Sequence, residues 1–244
     1  MTKRRPKPRL DSSAFDEWDR LAEGSMPPRV TPPRPWPFVA RTLQITAQIV
    51  LVVLLPFLAL VKVAVFLYAY GGWPPLLALA GGSACTVAVV TAYGAWAWHR
   101  LTGRVRLALI ARRIALPLVV AYSIYALVYL SSANAKSDRV RAYYASLHPL
   151  LRVGLSTLTV FDRDAVITDL ARRPEDYKTM GLPPNDGSLH LVQRDGYAHA
   201  ADLRTAGRGM VKNRLIQLYF WSMGFGTLRH AGTSDHLHVE LPVR

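Results

Sequence analysis

The chain has 244 residues, of which 51% are hydrophobic, and it carries a formal net charge of +14. Basic chains often bind nucleic acid, but here much of the positive charge borders long apolar segments, and residues 99–113 contain five arginines and no acidic residue. This arrangement argues against a nucleic-acid-binding protein and favours a lipid bilayer as the partner. The single cysteine, Cys85, excludes an intrachain disulfide and a cysteine-ligated zinc site.

Residues 1–37 are rich in proline and in basic residues. Proline lacks the backbone N–H that helices and central strands need, so this segment is predicted to be a disordered or polyproline-like tail. One short helix is predicted near Ser13–Ala22.

Three apolar segments follow within a transmembrane region of residues 38–131, and we place them at about 43–70, 76–98 and 114–130. The first contains no charge over the 19 residues from Leu43 to Val61, which is enough to cross a hydrocarbon core. The second contains the small residues Gly-Gly-Ser-Ala at 81–84, which predicts close packing against a neighbouring helix.

The orientation of these spans follows from their flanking charges. The tail and residues 99–113 are basic, whereas the loop after the first span is uncharged. The positive-inside rule then places the N-terminus in the cytoplasm. An odd number of spans predicts a multi-pass protein of the cell (inner or plasma) membrane whose residues 132–244 are periplasmic or extracellular.

The pattern of residues 132–244 predicts a small α+β domain with an antiparallel sheet, so the expected fold is a helical membrane anchor carrying such a domain. The turn signal Arg194–Gly196 predicts a hairpin. The predicted helices are 138–158, broken at His148-Pro149, then 166–173 and 212–224, and the predicted strands are 189–193, 197–203 and 237–243.

Two histidines, His236 and His238, alternate at the start of the last predicted strand, His236 just before it and His238 within it. Residues at i and i+2 on a strand point to the same face, and a strand-borne His-x-His is a common way to direct an imidazole at a metal. A structural or solvent-facing pair is an equally good interpretation of these two residues alone.

A second pair comes from the predicted hairpin. If Arg194–Gly196 is a three-residue loop, His190 faces Ala200, and Asp202 lies on the same face one diagonal step away. His199 would then point to the opposite face. A two-residue turn would reverse this parity, so His199 remains an alternative metal ligand.

Residues 188–240 resemble the LAS-type zinc peptidases, a group of D-alanyl-D-alanine carboxypeptidases and dipeptidases and phage peptidoglycan endopeptidases. Their first motif is similar to S-x-H-x-x-G-x-A-x-D-L, and Ala200 with Asp202-Leu203 matches its end. Their second motif is a D/E-x-x-H or H-x-H strand, and Asp235-His236-Leu237-His238 satisfies both forms. The position seven before Asp202 is Asp195, so His190 fits the first motif only with about five inserted residues.

The resemblance implies a Zn²⁺ ion held by His190, Asp202 and His238, with a fourth position left for water. It further implies that Asp235 or His236 transfers the proton of that water. An arginine is expected to bind a peptide carboxylate, and Arg229 and Arg204 are the preferred candidates over Arg172 and Arg173.

The function expected from these features is that of a membrane-anchored zinc-dependent peptidase that hydrolyses peptidoglycan stem peptides with metal-activated water. The alternative is a non-catalytic domain of the same kind that binds cell-wall peptide or a membrane partner, and the insertion after His190 favours it. A transporter or channel component is the weakest hypothesis, because the spans lack the intramembrane charges that mark a transport path, apart from Lys62 and residues at the span ends.

Overall fold

The computed structural model of the chain describes residues 12–25, 36–179, 181, 183, 185–232 and 235–242. The chain divides into two compact units, Met1–Gln48 and Ile49–Arg244. Helix α1 spans Ser12–Ser25, which confirms the short helix predicted in the tail. The rest of the predicted tail, residues 1–11 and 26–35, lies outside the described residues.

Three long apolar helices confirm the predicted membrane anchor. Helix α2 spans Trp36–Ala69 and α3 spans Pro75–Thr102. The third is composite and runs over Leu107–Val128; its parts are α4 at Leu107–Ile110, a π-helical turn at Ala111–Ala115 and α5 at Leu116–Val128. All three are long and apolar enough to cross a membrane.

The basic loop predicted at 99–113 is shorter in the structure. Helix α3 continues to Thr102 and ends at Gly103, whose left-handed φ of 68° allows its N–H to bond to His99 O. The third helix resumes at Leu107, so Arg112 and Arg113 lie within its π-helical turn.

Helices α2 and α3 approach closely at Gly82, within the predicted small-residue segment. A Cβ atom placed on Gly82 would lie 2.4 Å from the backbone O of Leu60 and 3.0 Å from the Cβ of Ala64. The same construction on Gly81 meets only the flexible end of Leu67, at 2.4 Å from Cδ1. A side chain at position 82 would therefore collide with the rigid backbone of α2, whereas one at position 81 would meet a side chain that can rotate away.

We expect Gly82→Ala to destabilise the protein by about 1–3 kcal/mol, because the backbone of α2 must move away. Helix propensity alone would stabilise either alanine variant by about 1 kcal/mol. Thermal unfolding of the detergent-solubilised chain measures the difference, with Gly81→Ala as the matched control. A Gly82→Ala variant as stable as Gly81→Ala would contradict this account of the helix contact.

The rest of the chain forms the predicted α+β arrangement. Strand β2 (Ala200–Arg204) lies between β1 (Ile167–Asp169) and β4 (His236–Glu240), and β3 (Gly226–His230) borders β4, so that the sheet order is β1-β2-β4-β3 with antiparallel neighbours. Its helices are α6 (Asp138–Ala142), α7 (Pro149–Phe161), α8 (Pro174–Thr179) and α9 (Met210–Met223).

Several local predictions differ from the structure. The helix predicted at 166–173 is wrong, because Ile167–Asp169 pairs with β2 as a strand. The predicted hairpin loop is present, since Gln193 N–H bonds to Tyr197 O at 2.8 Å. Residues 189–190 form a turn instead of a strand. Strand β3 was not predicted at all.

One hydrophobic core joins the membrane helices to the sheet and to α7. It contains Leu60, Val61, Ala64 and Val65 of α2 together with Val239 of the sheet. Polar contacts cross the same boundary: Tyr144 donates to Ala126 O at 2.6 Å, Arg152 donates to Leu127 O at 2.7 Å, and the hydroxyls of Tyr122 and Thr157 are 2.8 Å apart. The α+β part is thus packed onto the anchor and is not suspended from a linker.

Candidate metal centre

Strands β2 and β4 present one polar face. Along β4, Leu237 and Val239 point into the core, so His236, His238 and Glu240 lie on the opposite face. Asp202 of β2 is directly opposite His238. Alternation on two antiparallel strands therefore brings a carboxylate and an imidazole together.

His190 joins this pair from the turn that precedes β2. Its Nε2 lies 3.4 Å from Asp202 Oδ1, and His238 Nδ1 lies 2.8 Å from the same oxygen. The ligand atoms of the three residues all lie within 4.8 Å of one another. His190 and Asp202 are buried, at 4% and 5% exposure. The structure thus brings together the three predicted metal ligands.

The outer contacts of both histidines leave one ring nitrogen of each directed at Asp202. His190 Nδ1 donates to the backbone O of Leu170, and the Nε2 of His238 lies 3.4 Å from Glu240 Oε2. When these nitrogens carry the protons, lone pairs of His190 and His238 converge on Asp202. A carbonyl or carboxylate behind the ligating imidazole is the usual support of a metal-bound histidine. The His190, Asp202 and His238 group can therefore hold a metal ion.

Asp202 and His238 shift the pKa values of each other. Burial alone would raise the pKa of Asp202, but the hydrogen bonds and positive charge of His190 and His238 hold that pKa well below its usual range. The hydrogen bond to Asp202 raises the pKa of His238 despite partial burial, and the charges of Asp202 and Glu240 add to this shift. Without a metal, Asp202 is a carboxylate that favours a protonated His238.

We expect the metal-free protein to lose stability as the pH rises above neutrality. The depressed pKa of Asp202 stabilises the fold above its unfolded pKa of about 3.9, and the raised pKa of His238 stabilises it below its unfolded pKa of about 6.5. The pair is thus complete between these values and is lost as His238 deprotonates. Thermal unfolding of chelator-treated protein near pH 5.5 and pH 9 should show this fall, and Asp202→Asn should reduce it. An unchanged fall in the variant would contradict the pairing.

A second group, His148, Asp195 and His199, also lies close enough to hold a metal. His199 Nε2 is 2.8 Å from Asp195 Oδ2, and its Nδ1 bonds to Leu241 O at 3.2 Å. However, His148 Nδ1 accepts the N–H of Leu150 at 3.2 Å. Burial, aided by the charge of His199, lowers the pKa of His148 to about 3, so its one ring proton lies on Nε2. This group therefore offers two free ligands at most.

The outcome for His199 follows from this geometry. It lies on the face of β2 opposite Asp202, as the three-residue loop predicted, and it contributes to a hydrogen-bonded cluster beneath the sheet. The alternative in which His199 replaces His190 as a ligand has no support in this arrangement.

The residues predicted for proton transfer occupy different environments. Asp235 accepts hydrogen bonds from Thr205 at 2.7 Å and from Arg229 at 2.9 Å, and its pKa is lowered by these contacts. His236 Nε2 lies 3.8 Å from Asp202 Oδ2, and its ring stacks on His230 with centroids 4.7 Å apart. His236 is thus the better placed of the two to exchange a proton beside the metal group.

The preferred substrate arginines are not the ones beside the metal group. Arg229 is engaged with Asp235, and Arg204 is exposed at the end of β2. Arg172 lies with Nη2 3.7 Å from Asp202 Oδ2 and with Nε 2.6 Å from Asp169 Oδ2. It is therefore Arg172 that is held at the metal group.

A cleft of about 440 Å³ opens beside Asp202 and His236. Lys136, Arg139 and Arg172 give it positive charge, and Tyr143 and Val140 supply apolar surface. The sequence did not indicate Lys136, just before α6, or Arg139, within α6, because this segment reaches the sheet through backbone pairing of residues 135–136 with Ile167. Glu240 was detectable in principle, since it lies two residues after His238 on the same strand.

No protein-family model matches this chain, and comparisons with curated proteins and with solved structures give no match. The resemblance to LAS-type peptidases therefore rests on the residues of this chain alone.

Proposed function

We propose that the protein is a membrane-anchored zinc peptidase that hydrolyses peptide bonds in peptidoglycan stem peptides. The observation that carries this proposal is the convergence of one ring nitrogen each from His190 and His238 on the buried carboxylate of Asp202, with an oxygen beside the other nitrogen of each ring. Two nitrogens and one oxygen with one open position form the usual ligand set of catalytic zinc.

A zinc ion in this position would lower the pKa of a coordinated water toward neutrality and would polarise a carbonyl group. The residues of the chain supply the other requirements. His236 is placed to accept a proton and to return it to the leaving amine. Arg172 and Arg139 line the cleft, where they are paired with Asp169 and Asp176, and in this proposal their guanidinium groups bind a peptide carboxylate.

The cellular location is part of the same proposal. The basic residues beside Thr102 and the uncharged connection between α2 and α3 favour a cytoplasmic N-terminus under the positive-inside rule. With three spans, the sheet and its metal group then lie on the periplasmic or extracellular side, where peptidoglycan is found.

The experiment uses the full chain purified in detergent. Wild type and His238→Ala are incubated with peptidoglycan, the products are identified by mass spectrometry, and bound zinc is measured on the same samples. His99→Ala, at the exposed end of α3, is the matched control. We expect wild type and His99→Ala to release the same peptides with one zinc bound, and His238→Ala to release none. Identical product profiles for all three proteins would refute the enzymatic proposal.

The second candidate is a non-catalytic domain that binds wall peptide or a membrane partner. It is favoured by Asp235, which matches the acidic position of the second motif but is already held by Arg229 and Thr205. Zinc binding without any released peptide in the experiment above would support this candidate over the peptidase.

A further inference from the structure

Helix α9 carries an apolar face that the described part of the chain leaves open. Five large side chains on α9 are between 55% and 74% exposed, although the helix lies outside the three spans. On a helical projection they share one side, on which the exposed Arg214 also lies, and they are Met210, Val211, Leu215, Leu218 and Trp221. The opposite side, which includes Ile216 and Phe220, is buried in the core.

The neighbour of this face is the lipid-facing surface of α2. Leu54 of α2 shares a cavity of about 690 Å³ with Phe161 of α7 and Leu215 of α9. At the other end, a Cβ on Gly224 would lie 3.0 Å from Val65 of α2. Helix α9 therefore runs beside α2 between Leu54 and Val65.

This stretch of α2 follows a part of the helix that is open on its surface. Five consecutive residues of α2, from Ile49 to Val53, are each 47–59% exposed. A helix that is apolar on all sides at such positions is suited to lipid. The charge-free segment that begins at Leu43 ends at Lys62. The open face of α9 thus lies beside the exposed apolar surface of α2, near the end of its charge-free segment.

The charges of α9 fit the same partner. The helix contains Lys212 and Arg214 and no acidic residue. Lys212 and Arg208 form ion pairs with Asp162 at the C-terminal end of α7, with Lys212 Nζ 2.8 Å from Asp162 Oδ1. Basic residues combined with Trp and Leu on one helix are typical of segments that lie at a membrane surface beside anionic headgroups.

We propose that the apolar face of α9 is inserted into the bilayer beside α2, as a fourth membrane contact that fixes the height of the sheet above the membrane. This contact does not depend on the proposed enzymatic activity. It requires only that α2 spans the same bilayer.

The single native cysteine allows a direct test. In a Cys85→Ala background, nitroxide labels are placed at Leu218→Cys and Leu215→Cys in the full chain, reconstituted into vesicles of phosphatidylcholine and phosphatidylglycerol. Leu228→Cys is the matched control, because Leu228 is a leucine of similar exposure (56%) on the sheet face that carries the metal group. Power-saturation EPR compares collisions with oxygen, which concentrates in lipid, and with a water-soluble nickel chelate.

We expect the oxygen-to-nickel collision ratio to be several-fold higher at positions 215 and 218 than at position 228. Equal ratios at all three positions would overturn the proposal. Dipolar broadening between labels at position 218 would also overturn it, because that result would mean that a second copy of the chain covers this face.

Discussion

Asp202→Asn is expected to weaken zinc binding by more than about 100-fold, because the substitution removes the one negative charge among three ligands while leaving the side-chain shape unchanged. Asp195→Asn makes the same chemical change in the group formed by His148, Asp195 and His199, and it is expected to leave the zinc affinity unaltered. The distinction follows from the ring proton of His148, which occupies the nitrogen that a metal would need.

Glu240→Gln should fall between these two variants. Glu240 touches no predicted ligand atom but lies 3.4 Å from the outer nitrogen of His238, and loss of such support commonly weakens metal binding by about 10–100-fold. Competition with a chromophoric chelator, using full-length protein in detergent, gives all three affinities. Equal losses of zinc affinity for Asp195→Asn and Asp202→Asn would show that the ring proton of His148 does not prevent the His148, Asp195 and His199 group from binding the metal. Thermal unfolding in excess chelator establishes that each variant is folded.

The features that were predicted well from the sequence depend on the length of apolar segments and on the alternation of polar and apolar residues. Apolar length indicated three spans, and the alternation of His236, Leu237 and His238 indicated one polar strand face. The predicted loop at Arg194–Gly196 is present, but His190 lies in a turn and not on the predicted strand, and it reaches Asp202 from that turn. These features are local, so short stretches of sequence are sufficient to define them.

The features that sequence did not predict depend on contacts between distant segments. Residues 166–173 begin with the β-branched run Val166-Ile167-Thr168, which favours a strand, but a run this short does not define one without its pairing with β2. Arg172 is distinguished from Arg204 and Arg229 only by its position next to Asp202. The shared core is the largest such feature, because the α+β part and α2 read as separate regions in the sequence.

The shared core predicts that residues 132–244, expressed without the membrane helices, will not fold. Five residues of α2 at 5% exposure or less are part of this core: Leu60, Val61, Ala64, Val65 and Tyr68. Removing them uncovers apolar residues of α7 and the sheet. Each aliphatic side chain that loses burial forfeits about 1.5–3 kcal/mol, and whole domains are stable by only about 5–15 kcal/mol. A few such losses are therefore enough to unfold the isolated part.

Size-exclusion chromatography and near-UV circular dichroism of 132–244, compared with residues 36–244 in detergent, test this expectation. We expect the short fragment to aggregate or to lack fixed aromatic signals, and the long one to unfold cooperatively. A monomeric short fragment with a cooperative transition and full zinc affinity would show that the α+β part folds independently. It would also imply that the contacts of Tyr144 and Arg152 with α5 only position the sheet. If the fragment fails to fold, assays on it cannot test the metal centre, and the anchor must be counted as part of the structure that holds His190, Asp202 and His238 together.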